Sequence, residues 1–360
     1  MIADDSAVVR GLLARWLEAD GEIEVVRSVG DGDQAVHQLA ASGAEIVVLD
    51  IDMPVLTGID ALPKLLAIRP NLKVLMSSTL TRRNATISLR ALSMGAADFV
   101  PKPESVRGVT TSEEFKGELV AKVKMLGALA RGGAAKPVSP PTNAVDRLHA
   151  VAPRTVQVNL RRSGQTASPQ ILAIGSSTGG PQALLSLFES LGSKFNVPVV
   201  ITQHMPPTFT AILAEQLEKV SGARSVEGSN GTVIEAGRIY VAPGGHHMLL
   251  RRAGGDVIIA LDDGPAENFC RPAVDPMFRS LSQAYGAGVL ALVLTGMGQD
   301  GRAGAKAIAQ NGGTILVQDQ ATSVVWGMPG AVAEAGFASA VLPLAEIAPK
   351  VIGLLKGKSI

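Results

Sequence analysis

The sequence predicts two α/β domains in tandem, each built on a mainly parallel sheet, the second carrying an antiparallel insertion. Two patterns carry that expectation. Short apolar, often β-branched runs alternate with stretches of helical spacing up to about residue 130 and again beyond residue 170, and between the two series lies a stretch rich in Gly, Pro, Ala and Ser. The length agrees, because 360 residues exceed one ordinary domain and allow two that each bury a core.

In chain order, Val8, Val9, Leu12, Leu13, Trp16 and Leu17 recur at helical spacing, and residues 23–26, 46–49, 74–76 and 98–100 read as buried strands of a doubly wound domain. From about residue 131 to 169 the periodicity fades and Pro137, Pro140, Pro141 and Pro153 punctuate the chain, as expected of a linker. Beyond it, residues 171–174, 197–202, 289–294 and 314–317 read as buried strands, and residues 239–241, 248–251 and 257–260 as an antiparallel insertion. The boundaries follow as a first domain over 1–125, a linker over 126–169 and a second domain over 170–356.

Composition excludes several classes of function. With 33 basic and 32 acidic residues the formal net charge is +1, so no global field draws the chain to nucleic acid or an anionic membrane. A single cysteine, Cys270, rules out an intramolecular disulfide or a thiolate metal cluster and suits a reducing compartment such as the cytoplasm. No apolar run approaches the ~18–20 residues of a membrane span, and Asp4 and Asp5 leave no room for a signal peptide, so a soluble protein is expected. Nothing in the charge balance argues for an oligomer, and a monomer is the expectation.

In parallel sheets chemistry gathers beyond the carboxyl ends of the strands. Asp4, Asp5, Asp50, Ser78 and Lys102 all fall there in the first domain. Clustered carboxylates repel unless a hard cation joins them, and oxygen-only donors suit Mg²⁺. Such a set could pass a phosphoryl group to Asp50 with Mg²⁺ near Asp5 and Asp50, a hydroxyl at Ser78 and a cation at Lys102. Each Asp could equally cap a helix or end a strand. Taken together, Asp4-Asp5-Ser6, Leu49-Asp50-Ile51-Asp52-Met53-Pro54 with Gly58, and Lys102-Pro103 resemble response-regulator receiver domains over roughly residues 1–125. The resemblance implies a flavodoxin-like fold, Asp50 as phosphoacceptor, Asp5 as metal ligand with Asp4 beside it, a backbone oxygen from Asp52, and Ser78 and Lys102 as switch residues. One departure stands out: only Met1, Ile2 and Ala3 precede the acidic pair, which predicts a first strand of about half length.

In the second domain, residues 171–174 lead into Gly175-Ser176-Ser177-Thr178-Gly179-Gly180-Pro181 and then a helical pattern. This strand, turn and helix could hold the Ser177 hydroxyl on a sharp bend, cradle a phosphate, or merely reverse the chain. A serine nucleophile needs a base. Of the five histidines, His37 falls in a helix of the first domain, His149 in the linker and His246 and His247 in the insertion, whereas His204 closes the strand 197–202 at the same sheet edge as Ser177. Asp300 follows another apolar strand. Together they make a Ser, His, Asp set in which Ser177 attacks an acyl carbon, His204 moves the proton, Asp300 orients the imidazole and backbone amides bind the oxyanion. Their chain order differs from that of α/β-hydrolases, so the Gly175, Ser177, Gly179 spacing does not place the domain in that fold.

With Gln203-His204-Met205-Pro206, Ala242-Pro243-Gly244, Cys270-Arg271-Pro272 with Asp275, Thr295-Gly296-Met297-Gly298 with Asp300-Gly301, and Gly327-Met328-Pro329, nearly the whole chain resembles the chemotaxis protein-glutamate methylesterases. That resemblance implies Thr178 as a neighbouring site residue and the Met297 backbone as an oxyanion donor. It further implies hydrolysis of glutamyl methyl esters on chemoreceptors with release of methanol, deamidation of receptor glutamines, activation by a chemotaxis histidine kinase, and no cofactor in the second domain. Cys270 reads as a packed core residue with no base nearby, and His246 and His247 as structural or substrate-facing. Two other functions fit less well: a phosphate binder lacks a lysine between residues 171 and 190, and a transcriptional regulator lacks a basic recognition helix.

Overall fold

Strand and helix alternate from the first residues in the computed structural model, which describes residues 1–102, 109–132, 160–161 and 168–358. The linker expected over 126–169 falls largely outside the described residues, as do Pro103 and His149. The chain divides into two compact units, Met1–Ala135 with Pro206–Leu213, and Lys136–Met205 with Ala214–Ile360. Among the described residues no helix is long and apolar enough to cross a membrane.

The early elements are β1 (Ile2–Ala3), α1 (Ala7–Glu18), β2 (Ser28–Val29), α2 (Gly32–Ser42), β3 (Ile46–Asp50), α3 (Gly58–Ile68), β4 (Lys73–Ser78), α4 (Arg82–Ser93), β5 (Asp98–Pro101) and α5 (Val109–Ala130). Side-chain caps explain several helix starts: Ser6, Asp31, Thr57 and Thr81 each accept the N–H three residues on. All five strands pair in parallel in the order β2-β1-β3-β4-β5, a doubly wound sheet whose order reverses between β1 and β3.

The short β1 is as the sequence predicts, but the strand expected at residues 23–26 lies instead at Ser28–Val29. The cause is register. Ile2 pairs with Ser28 and Ala3 with Val29, so residues 23–26 face no strand residue of β1 and cannot form a ladder.

The later elements are β6 (Ile171–Ser176), α6 (Gly180–Leu191), β7 (Val199–Gln203), α7 (Phe209–Ser221), β8 (Ser225–Glu227), β9 (Ile239–Val241), β10 (His247–Ala253), β11 (Asp256–Asp262), α8 (Val274–Tyr285), β12 (Val289–Val293), α9 (Arg302–Gln310), β13 (Thr314–Gln318), α10 (Met328–Glu334), β14 (Ala340–Leu342) and α11 (Leu344–Leu355). Seven strands run parallel in the order β14-β13-β12-β6-β7-β9-β8, and β10 and β11 form a separate antiparallel pair. β9 therefore corrects the expected insertion. Ile239, Tyr240 and Val241 are wholly buried and pair in parallel with β7 and β8, as a strand covered on both faces does. On one face of this sheet Val274, Met277, Phe278 and Leu281 of α8 pack with Ile171, Ala173, Val289 and Ala291.

One close approach shapes the first unit. Gly58 donates its N–H to the Ile51 carbonyl at 3.0 Å, and a Cβ there would lie 1.9 Å from the Asp50 carbonyl oxygen. Gly58→Ala is expected to cost the first unit about 1–3 kcal/mol through this backbone clash. Denaturant titration of fluorotryptophan-labelled protein would report it as a lower midpoint at Trp16 with the Trp326 signal unmoved.

Candidate active site

β6 and β7 end in register at Ser176 and Gln203, so Ser177 and His204 stand side by side, one residue beyond two adjacent strands. The His204 N–H donates to the Ser176 carbonyl at 3.2 Å and the Ser177 N–H to the Thr295 carbonyl at 3.1 Å. Gln203 fills the turn beneath them, its Oε1 accepting from Ser176 Oγ at 2.7 Å and its Nε2 donating to the Ser177 carbonyl at 2.9 Å. The loop after β12 presses on the same point: a Cβ at Gly296 would lie 2.9 Å from Ser177 Cβ, which demands glycine there. This is the reversal of strand order, with β12 and β7 on either side of β6, where open α/β sheets place their ligands.

Asp300 closes the group. His204 Nε2 donates to its Oδ2 at 2.7 Å, and the carboxylate also accepts from the N–H groups of Val274 (2.6 Å), Asp275 (3.0 Å) and Gly301 (2.9 Å) and from Asn268 Nδ2 (3.0 Å). Burial favours its neutral form, but the hydrogen bond from His204 and these donors outweigh it and hold Asp300 below the ordinary aspartate range. Asp275 is the contrast. Burial and the neighbouring Asp300 charge raise it to about 6, against only the Gly304 N–H and the Asn268 amide as donors. Of the two carboxylates, Asp300 keeps the charge.

The histidine has partners on both ring nitrogens. Burial disfavours its cation, but Cys270 Sγ, 3.3 Å from Nδ1, and Asp300 outweigh it and hold His204 well above the ordinary histidine range. Among the described residues no hydrogen bond joins Ser177 Oγ to His204, because the sulfur occupies Nδ1. Cys270 is thus half-buried beside a base, not packed in the core as the sequence suggested. Met297 is half-buried in the loop that touches Ser177, and among the described residues no acceptor takes its backbone N–H. Thr178 is buried, with its carbonyl accepting from Thr295 Oγ1 at 2.9 Å. His247 is also buried: its Nδ1 accepts from the Ala273 N–H and its Nε2 donates to the Pro265 carbonyl, a structural role, while His246 pairs with Asp263 at the surface.

The comparisons with known proteins point the same way. Residues 172–351 match the CheB methylesterase family and residues 1–112 the response regulator receiver domain. A relative from Rhodopseudomonas palustris named protein-glutamate methylesterase/protein-glutamine glutaminase is 52% identical, with 99% of this chain and 94% of that one aligned. The chain belongs to the CheB methylesterase family. A relative of the same activity from Paramagnetospirillum magneticum is also 52% identical, over 98% of this chain and 95% of its own. The crystal structure of the Thermotoga maritima CheB methylesterase catalytic domain, 41% identical, covers 52% of this chain and all of its own with a TM-score of 0.51.

The receiver unit holds an acidic pocket where its strand order reverses. Single oxygens of Asp4, Asp5 and Asp50 lie within 4.8 Å of one another, an all-carboxylate donor set that fits a hard cation such as Mg²⁺. Lys102 Nζ lies 2.6 Å from Asp4 Oδ2 and 2.8 Å from Asp50 Oδ2. Burial raises Asp50 to about 6 in spite of that lysine, and Lys102 itself is raised because Asp50 and Asp4 outweigh its burial. The Asp52 carboxylate stands apart, held by Asn84 Nδ2 at 2.9 Å, so its side chain does not join the pocket.

Ser78 is the last residue of β4 and stands one step nearer its carboxyl edge than Ser77. Asp50 pairs with Ser77 across β3 and β4, and residues paired across a ladder share a face, so it is Ser77 that faces as Asp50 does. Ser77 Oγ is buried without a hydrogen-bond partner, whereas Ser78 Oγ accepts from Ser88 at 3.1 Å.

The His204 and Asp300 contact makes a pH prediction. A histidine raised above its unfolded value lends stability that is complete below about pH 6.5 and is lost as pH climbs through the folded-state value. NMR titration is expected to find His204 charged well above the ordinary histidine range, and Asp300→Asn is expected to bring its midpoint down. An unmoved midpoint would mean that Asp300 does not govern the ring.

Proposed function

We propose that this chain removes methyl esters from glutamate side chains of methyl-accepting chemoreceptors and deamidates receptor glutamines, and that phosphorylation of Asp50 by a chemotaxis histidine kinase activates it. The family and the names of its relatives support the activity. The observation that carries the mechanism is the His204 to Asp300 hydrogen bond beside Ser177 at the strand ends.

When Cys270 leaves Nδ1, the strongest influence holding His204 as a cation goes with it, and the neutral ring takes the Ser177 proton at Nδ1 as Oγ attacks the ester carbonyl carbon. The negative oxygen forms beside the N-terminus of α6 and the Met297 N–H, and Thr178 lines the same turn. Collapse expels methanol, protonated by His204, and leaves an acyl-serine. Water, deprotonated by His204, then releases the free glutamate and restores Ser177. A glutamine substrate would follow the same path with ammonia leaving. Asp300 keeps Nε2 protonated so that Nδ1 stays the base. No cofactor takes part in these steps.

In the receiver, Asp4, Asp5 and Asp50 would hold Mg²⁺ with the Asp52 backbone oxygen, and the ion when bound neutralises charge as the phosphoryl group arrives. Asp50 accepts the phosphoryl group, Lys102 pairs with it, and Ser78 at the end of β4 offers it a hydroxyl. We read the receiver as residues 1–125, the linker as 126–169 and the catalytic domain as 170–356, in a monomer of the cytoplasm that binds no nucleic acid and does not insert into membranes.

Methanol release from methylated chemoreceptor membranes tests this. Ser177→Ala is expected to lose about 10³-fold or more while Asp50 still takes up phosphate from a small phosphodonor with Mg²⁺. Retained release would sink the esterase reading. Asp50→Asn is expected to abolish stimulation by the phosphodonor, and Ser78→Ala to blunt it.

A further inference from the structure

Asn268, which meets Asp300, and Cys270, which meets His204, come from one tight turn. Glu267 and Cys270 exchange backbone hydrogen bonds of 3.1 and 2.9 Å around Asn268 and Phe269, whose φ angles are 52° and 63°. Left-handed backbone at both central positions defines a turn that favours Asn followed by Gly. Asn268 fits. Phe269 does not: a bulky residue with positive φ is an outlier, and such outliers persist where the surroundings overdetermine them and cluster at functional sites.

The turn is held on every side but one. Arg279 forks onto the Glu267 carboxylate, Asn268 Nδ2 bridges Asp275 at 3.1 Å and Asp300 at 3.0 Å, and Cys270 Sγ meets His204 Nδ1 at 3.3 Å. The Phe269 side chain points away from all of this and is 98% exposed, more than any other large apolar residue among those described. Its neighbours in sequence touch the base and the acid. A glycine would satisfy the backbone better, and among the described residues no aromatic ring stacks on Phe269.

Resting on the esterase reading above, we propose that Phe269 is a specificity-determining residue that docks the protein substrate, its ring seating on an apolar side chain of the helix that carries the glutamyl ester. A glutamyl side chain is short, so the helix that carries it must lie against the rim of the site. Residues three or four positions from the ester lie on the same helix face, about 5–6 Å away, within reach of an aromatic ring at that rim. Exposed aromatics that become buried are the usual anchors of protein recognition.

The test compares two substrates in the full-length protein: methylated chemoreceptor membranes and the small ester N-acetylglutamate γ-methyl ester. Phe269→Gly suits the left-handed turn and is expected to fold with an unchanged or higher Tm. Its kcat/KM on receptor membranes should fall about tenfold through KM, with kcat kept and small-ester hydrolysis unchanged. Phe269→Tyr should restore the membrane value. Equal loss on both substrates would make Phe269 a structural support of the turn, and no loss on either would leave it without a role; each overturns the proposal. A rise in activity without phosphodonor would overturn it as well, by making the ring part of the resting-state restraint. If the unaltered protein hydrolyses neither substrate, the esterase reading itself falls.

Discussion

The catalytic unit turns on one buried carboxylate. Helix α8 begins after Ala273, which has no side chain able to cap it, and its first N–H groups, those of Val274 and Asp275, go to Asp300 instead. The favour is returned: Asp275, in the first turn of α8, accepts the N–H of Gly304 in the first turn of α9. Each helix start is satisfied by an acid from the other helix's end of the chain, and Asn268 bridges the two acids. Asp300 also lies where the α8 dipole favours negative charge, which helps an ion survive in the interior. The group that orients His204 is therefore part of the frame.

The receiver faces a related problem of buried negative charge. Asp4 and Asp50 are both buried and share one cation, Lys102, while Asp5 adds a third carboxylate at the exposed edge. An excess of negative charge kept in place by backbone N–H groups and one lysine gives a site whose electrostatics change sharply with any added cation or anion. In both units the chemistry gathers where the strand order reverses, because only there do the loops of neighbouring strands leave in opposite directions and open a crevice.

Much of this was legible in the sequence, and the exceptions have physical reasons. Runs such as 46–49, 171–174 and 289–294 are buried on both faces, so their apolar character survives any local context, and the polar residues that follow them mark the sites. The strand expected at 23–26 failed because pairing is decided by the partner: β1 offers two residues, and they take Ser28 and Val29. Ile239 to Val241 looked like part of a hairpin because chain proximity to β10 says nothing about sheet order. Asn268 and the contact of Cys270 with His204 depend on a turn that folds back from far along the chain, and no local pattern announces it.

The reciprocal capping of α8 and α9 has a consequence for the newborn protein. During synthesis Ser177 emerges on a finished strand more than a hundred residues before Gly304 exists. Asn268 and the start of α8 are made before Asp300, so they wait for it, and until Asp300 emerges His204 has no acid to fix its tautomer. A chain still leaving the ribosome thus carries Ser177 and His204 without their acid, and the set is complete only once Asp300 seats against the start of α8.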